Sequence, residues 1–219
     1  IAKSGRPGPV LVDITKDVTL AYTDYVKAKP EESENKYTYA TETVKKAITM
    51  IEESERPFVF VGGGAISSDA SRELKEFVER IDAPVCDSLM GKGAFDGTSP
   101  RYSGMLGMHG TKASNLGVSK CDLLIVVGAR FSDRVTGNTK AFAKNAKIIH
   151  IDVDEAEINK NVLVDLGIVG DARSVLSALN LLLKQQNHPQ WLKEIRALKD
   201  RYPLTYDTDV LTGPYIVEQ

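Results

Sequence analysis

Two uninterrupted apolar runs, each closed by glycine, limit what this chain can fold into. Residues 58–61 read FVFV and end in Gly62, Gly63 and Gly64; the stretch DLLIVVGA at 122–129 runs into Gly128. A strand with one face in water alternates apolar and polar side chains. A run without alternation suits a strand buried on both faces, as in a parallel sheet covered by helices. Such a sheet presents ligands with the carboxyl ends of its strands. The second run is followed at once by Arg130, Ser132, Asp133 and Arg134, an unusual cargo for the end of a buried strand.

The surrounding sequence repeats the alternation of strand and helix that a doubly wound α/β fold needs. APVCDSL (83–89), KIIHIDVD (147–154) and a short piece of VDLGIVGD (164–171) read as further strands. Between them lie helical patterns. Val44, Ala47, Ile48 and Ile51 recur at helical spacing over 41–54. Ala70, Leu74, Phe77, Val78 and Ile81 form one stripe, with Ser67, Ser68 or Asp69 available as a cap. TKASNLGVSK (111–120) looks helical. Val175, Leu176, Leu179 and Leu182 should point inward from another helix, and Trp191, Ile195 and Leu198 from the last. The expected fold is therefore a mostly parallel, Rossmann-like sheet with helices on both faces.

Before this regular part, PVLVDI (9–14) reads as a short strand, and 16–40, centred on AKPEESENK, as a polar linker. The chain opens on IAKSGRPGP without Met and closes on LTGPYIVEQ, which reads like the start of another helix. Both ends look cut, so a piece of a longer protein is expected. The 219 residues suffice for one α/β domain with flanking segments. A net charge of −2 without a basic block argues against a nucleic-acid or anionic-membrane surface. No apolar run is long enough to span a bilayer, and no secretory signal opens the chain. Cys86 and Cys121 lack metal-ligand spacing; two reduced, buried thiols in a cytoplasmic protein are expected.

Several strand ends carry suggestive residues. Gly62, Gly63 and Gly64 could let backbone N–H groups approach a pyrophosphate, although VGGGAI is not the G-x-G-x-x-G fingerprint. Arg130 and Arg134 could hold phosphates with bidentate hydrogen bonds, or form a surface ion-pair cluster with Asp133. Asp152 could accept from ribose hydroxyls, or it or Asp154 could cap the helix near EAEINK. His109 lies in a loop and has several possible uses; His150 reads as structural and His188 as exposed. Met90 and Met108 could line an apolar ligand face or pack in the core. These residues suit a dinucleotide, without choosing NAD or FAD, and supply neither a convincing acid–base pair nor a metal-ligand set.

Four stretches carry a resemblance. SGRPGPVLVDITKDV (4–18), LGMHGTKASN (106–115), VVGARFSDRVTG (126–137) and IIHIDVDEAEINKN (148–161) resemble the acetohydroxyacid synthase (acetolactate synthase) large subunit family. These are thiamine-diphosphate enzymes of branched-chain amino-acid biosynthesis. The resemblance covers nearly the whole chain. It implies the tail of a pyrimidine-binding domain at 1–15, a linker at 16–40, a middle FAD-binding domain at 41–187, and at 188–219 a lead into a diphosphate-binding domain. No GDG-type motif with its Asn and no glutamate region appear, so the parts that form a thiamine and Mg site are expected to be missing and the piece alone inactive.

By the same resemblance, FAD would be contacted by Arg6, Gly62, Gly64, Leu89, Met90, Met108, His109, Gly128, Arg130, Arg134 and Val135. Asp152, Val153, Gly170 and Asp171 would form the adenosine end. Met108, Asp133 and Arg134 match positions lining the family's herbicide channel. The family's two aspartates in this loop are here Ser132 and Asp133, which puts one contact in doubt. In such enzymes thiamine diphosphate joins two 2-oxo acids with loss of carbon dioxide, and the FAD is largely structural. The subunits would form homo-oligomers, with a regulatory subunit as a further candidate partner. The rival expectations are an NAD-binding domain of a redox or deacylase enzyme, and a non-catalytic scaffold module.

Overall fold

The computed structural model describes residues 2, 3, 5–27 and 39–219. Its centre is a six-stranded sheet in which every neighbouring pair runs parallel. The strands are β1 (Pro57–Val61), β2 (Val85–Asp87), β3 (Tyr102–Met105), β4 (Leu123–Val127), β5 (Lys147–Asp152) and β6 (Leu166–Val169). They lie in the order β3-β2-β1-β4-β5-β6. The chain first winds outward one way, returns, and winds the other way, so the order reverses between β1 and β4. Crevices that bind ligands form at such reversals, outside the carboxyl ends of the strands.

The helices are α1 (Lys16–Leu20), α2 (Thr41–Glu52), α3 (Gly63–Ser67), α4 (Ser71–Arg80), α5 (Lys112–Lys120), α6 (Asp133–Thr136), α7 (Ala172–Leu182), α8 (Pro189–Arg201) and α9 (Gly213–Glu218). Both apolar runs divide their side chains between two cores. Val59, Val61, Leu123, Ile125 and Val127 pack with residues of α2, α4 and α7 on one face. Phe58, Phe60, Leu124 and Val126 pack with Val118 of α5 and with Trp191 and Ile195 of α8 on the other. This is why neither run alternates. Each fully buried Val, Leu or Phe contributes roughly 1.5–3 kcal/mol relative to exposure, and every residue of β1 and β4 is buried.

Several expectations need correction. The sheet has a strand the sequence did not announce, β3. The stretch 9–14 is not a strand, and Leu11 and Val12 are among the most exposed apolar residues. Ser67, Ser68 and Asp69 do not cap α4; its N-cap is Ala70, without a side-chain bond, because α3 occupies 63–67 first. On α7, Leu182 is exposed and the buried position is Leu183, one residue past the helix. The centre of the expected linker, 28–36, lies outside the described residues.

The amino edge of the sheet is closed by side chains. Asp122 accepts from Ser54 Oγ and from the amides of Glu55 (2.8 Å) and Arg56 (3.0 Å). Trp191 Nε1 donates to the Pro57 carbonyl at 2.9 Å. His188 is half-buried rather than exposed, its ring set between the carbonyls of Ile81 and Ser54. Asp82 takes the His188 amide and pairs with Arg101 at 2.6 Å.

Candidate functional site

At the reversal point two glycine backbones touch. A Cβ on Gly64 would stand 2.7 Å from the Gly128 Cα, and one on Gly62 would fall 2.5 Å from the Ala129 Cα. Gly128 has φ +57, a left-handed conformation that L side chains rarely adopt. The glycines thus let β1 and β4 turn away together. Their amides serve this join: Gly62 N–H donates to Val127 O and Gly64 N–H to Gly128 O, both at 2.9 Å. The expectation that these two amides face a pyrophosphate is therefore corrected. The join leads directly into α3, which starts at Gly63.

Around the crevice stand the other expected residues. After β2, Ser88 Oγ accepts from the Gly91 amide and folds Leu89–Gly91 into a 3-10 turn. Leu89 and Met90 protrude from it, 70% and 72% exposed, although Met90's backbone packs on Gly63. After β3, Met108 (73% exposed) and His109 stand on a loop that is bonded across to the arginine segment, Met108 N–H donating to Arg134 O at 2.8 Å. After β4 come exposed Arg130 and Arg134. Neither guanidinium is bonded to a carboxylate among the described residues, so the ion-pair cluster imagined from sequence does not form. Asp133 spends one oxygen on the Arg134 amide. Val135 turns inward and packs on the second core.

Beyond β5, the capping reading of the aspartates holds for Asp154. Asp154 Oδ1 caps the 3-10 turn Glu155–Glu157 through the Ala156 amide, while Asp152 Oδ1 accepts from the Asp154 amide. Asp152 Oδ2 is left beside His150 Nε2, 3.8 Å away. Val153 is half-buried next to them. Arg6 reaches this side of the crevice, pairing with Glu157 at 3.2 Å and Asp154 at 3.6 Å. Asp171 caps α7, its Oδ1 accepting from the Ser174 amide and hydroxyl, and Gly170 packs against Val175 and Tyr39. So the structure gathers Leu89, Met90, Met108, His109, Arg130, Arg134 and Asp152 along one edge. It gives Gly62, Gly64, Gly128, Gly170 and Asp171 architectural duties beside them.

Three supports went unread in the sequence. Asp87, buried at the end of β2, takes a 2.8 Å bond from Tyr102 Oη and faces Lys92 Nζ at 3.4 Å. This trio clamps the turn that carries Leu89 and Met90. Burial and the Asp87 carboxylate push the Tyr102 phenol up, so it stays a donor. Asn115 holds both the amide and the carbonyl of Gly107, below Met108. Asn161 donates to Phe131 O at 2.8 Å, behind Arg130. The first had a faint signal in the charged Lys92 within SLMGKG; the two Asn residues had none.

A partly open cavity of about 190 Å³ lies beside this loop, lined by Leu106, Asn115, Val118, Val135 and Phe142 among others. It is smaller than the ~300–1,000 Å³ of typical ligand pockets. The exposed Arg130 and Arg134 lie outside this cavity, at the carboxyl ends of the strands.

With this geometry, the matches to known proteins are specific. Residues 44–179, well over half the chain, match the family described as thiamine pyrophosphate enzyme, central domain. The chain belongs to that family. The matched span runs from α2 to α7 and takes in the whole sheet. Among relatives, the acetolactate synthase large subunit of Parasynechococcus marenigrum is 45% identical over 214 residues, covering 94% of this chain and 35% of the relative. That of Porphyra purpurea is 44% identical over 215 residues, with 93% and 36% covered. The acetolactate synthase isozyme 2 large subunit of Escherichia coli is 42% identical over 221 residues, with 100% and 40% covered. The chain thus spans little more than a third of the length of these relatives. As a central domain of a thiamine pyrophosphate enzyme, it has the parallel α/β architecture its sequence announces.

Proposed function

We propose that this chain is the FAD-binding section of an acetolactate synthase large subunit. The observation that carries the reading is the pair of guanidiniums of Arg130 and Arg134, unpaired and exposed at the end of β4 beside the sheet's reversal point. Two fixed positive charges match the two negative charges of a dinucleotide pyrophosphate, and guanidinium binds phosphate oxygens in a bidentate fork. The remaining residues fit the same group. Leu89, Met90 and Met108 offer apolar surface to a planar ring system, and Asp152 Oδ2 offers an acceptor for ribose hydroxyls. Arg6, paired with Asp154 and Glu157, adds a third cation on the β5 side.

In the whole enzyme, thiamine diphosphate with Mg supplies the chemistry that joins two 2-oxo acids with loss of carbon dioxide. Residues of this chain bind and orient FAD and border the site where that reaction takes place. The domain boundaries read from the sequence belong to this proposal: 1–15 and 188–219 connect to neighbouring domains, and 41–187 holds the flavin. So do a cytoplasmic location, consistent with two buried free thiols, and assembly into homo-oligomers with a smaller regulatory subunit, consistent with relatives named large subunits. Among the described residues no helix is long and apolar enough to cross a membrane.

The test is a visible-absorption titration of the chain with FAD. A flavin spectrum that shifts and saturates supports the reading; no perturbation at millimolar FAD overturns it for this chain. With pyruvate, thiamine diphosphate and Mg, the chain alone is expected to form no acetolactate, and measurable turnover would contradict the division into domains.

A further inference from the structure

His150 is the one fully buried residue of β5 that is not aliphatic. Its neighbours along the strand are Ile148, Ile149 and Ile151, and it has 0% exposure. Another isoleucine would have filled the space without desolvating an imidazole. The ring instead makes a specific set of contacts. Nε2 stands 3.0 Å from the Ala129 carbonyl and 3.8 Å from Asp152 Oδ2. The ring meets Phe131 edge-on, centroids 5.0 Å apart. Nδ1 is buried with no partner.

A carbonyl can only accept, so Nε2 carries the hydrogen and Nδ1 is bare. Burial favours the neutral ring and pushes the imidazole below its usual range, against the opposing pull of Asp152 and Glu157. Glu157 is itself engaged by Arg6 and Lys160. The contacts fall on the two residues that flank Arg130. Ala129 O belongs to the peptide whose N–H is Arg130's own, so fixing that carbonyl fixes the peptide plane from which the arginine departs. Phe131 is held on the other side, with Asn161 on its carbonyl. The third contact is Asp152, the acid at the end of His150's own strand.

We infer that His150 is a positioning residue for the dinucleotide: through the Ala129 carbonyl and the Phe131 ring it sets Arg130 at a fixed angle and distance from Asp152. The inference rests on the FAD reading for its functional meaning, and on the contacts alone for its structural content. A buried polar group left half-satisfied is a weakness for a plain core position. It is intelligible where a hydrogen bond must hold one loop in one place.

The experiment uses this chain and three variants, His150→Phe, His150→Gln and His150→Asn. Phenylalanine keeps the volume and the edge contact with Phe131 but has no N–H. The amide nitrogen of glutamine reaches about as far as Nε2; that of asparagine reaches only as far as Nδ1. In the parent, nitrogen NMR of the imidazole should show a single Nε2–H tautomer at neutral pH. His150→Phe should melt cooperatively yet bind FAD at least about tenfold more weakly, with Arg130's amide resonance displaced. His150→Gln should recover affinity to within about threefold, and His150→Asn should not. A folded His150→Phe with unchanged FAD affinity and an unmoved Arg130 amide overturns the proposal, as does equal binding by the Gln and Asn variants. If His150→Phe does not fold, the Gln–Asn contrast decides alone. If the parent binds no FAD, the flavin reading fails separately, and the Arg130 amide in the variants still decides whether His150 holds that residue.

Discussion

The two edges of this sheet are built on opposite principles. At the amino edge, polar groups are consumed. Asp122 takes two amides and a hydroxyl, Trp191 caps the Pro57 carbonyl, and His188 and Asp82 knit α4 to the start of α8. At the carboxyl edge, polar and apolar groups are left over. Arg130, Arg134, His109, Leu89, Met90 and Met108 all face outward above a pair of glycines packed too closely to admit a methyl group. One edge is finished by the chain itself; the other offers its groups to something else. Stability and binding should therefore separate between the two edges.

The hardest test of that separation is Trp191→Ala. The indole is 3% exposed, stacks edge-on to Phe58, and donates to the Pro57 carbonyl. Its removal should cost about 3–5 kcal/mol, read by denaturant unfolding. At temperatures where the variant remains folded, FAD affinity should be unchanged. Lost binding by a folded variant would mean that the edges are not independent.

Next comes Gly128→Ala, where stability and site coincide. A left-handed φ costs an L residue about 1–2 kcal/mol, and the added Cβ meets the Gly64 Cα at 2.7 Å and the Ala65 nitrogen at 2.8 Å. Neither neighbour is a side chain that can swing away. A loss of about 2–4 kcal/mol is expected, accompanied by weaker flavin binding, because the turn into Arg130 must shift. Full stability in this variant would show that the strand ends can part.

These two positions also mark where the sequence could and could not be read. Gly128 and the apolar runs of β1 and β4 were legible because burial on both faces leaves a pattern with no alternation. β3 was not: YSGM turns Ser103 inward to bond Val85 O and Ser114, and Gly104 takes φ +108 beside a register shift against β2. A strand stabilised by buried hydroxyls has no hydrophobic signature. The opposite error fell on PVLVDI, whose apolar residues read as a strand but find no partner here; composition says that a segment is apolar, not what covers it. The arginines and Asp152 were legible as charges placed after buried strands. Their supports were not, because Asn115, Asn161 and His150 act through contacts with main-chain atoms distant in sequence. The engaged amides of Gly62 and Gly64 were misread for the same reason, since a glycine that approaches a ligand and one that approaches another backbone look alike.

The histidine buried near the carboxyl edge predicts a pH effect of intermediate size. Its folded-state pKa lies below the ordinary value of 6.5, with burial the largest cause. Between those two values the unfolded chain binds a proton that the folded chain refuses, so stability falls as pH drops through 6.5 and levels off below the folded pKa. The slope is at most about 1.4 kcal/mol per pH unit for one group. Unfolding free energies measured from pH 7 to 5.5 should show it, and His150→Gln should remove it. An identical slope in that variant would place the titration elsewhere.

Arg134→Ala should divide the edges most cleanly at the smallest cost in stability. The side chain is exposed and unpaired, so unfolding free energy should move by no more than about 0.5 kcal/mol. The apparent dissociation constant for FAD should rise about tenfold or more, the usual size for a lost charged hydrogen bond. Unchanged affinity would remove this arginine from the proposed site.

The finest adjustment is Ser132→Asp, which installs the second aspartate of the family pattern. Ser132 is the N-cap of α6, but its hydroxyl makes no capping bond; its carbonyl accepts from Val135 and Thr136 instead. An aspartate is at least as good an N-cap as serine, and one negative charge near the first turn of a helix is favourable by a few tenths of a kcal/mol. The same charge would sit between two arginines, where it could draw either guanidinium away from a phosphate. If Arg130 and Arg134 are directed by the backbone contacts behind them, the added carboxylate should leave FAD affinity within about twofold and raise stability slightly. A marked loss of flavin binding would mean that the guanidiniums are free to choose their partner, and that the carboxyl edge is less preorganised than its supporting hydrogen bonds imply.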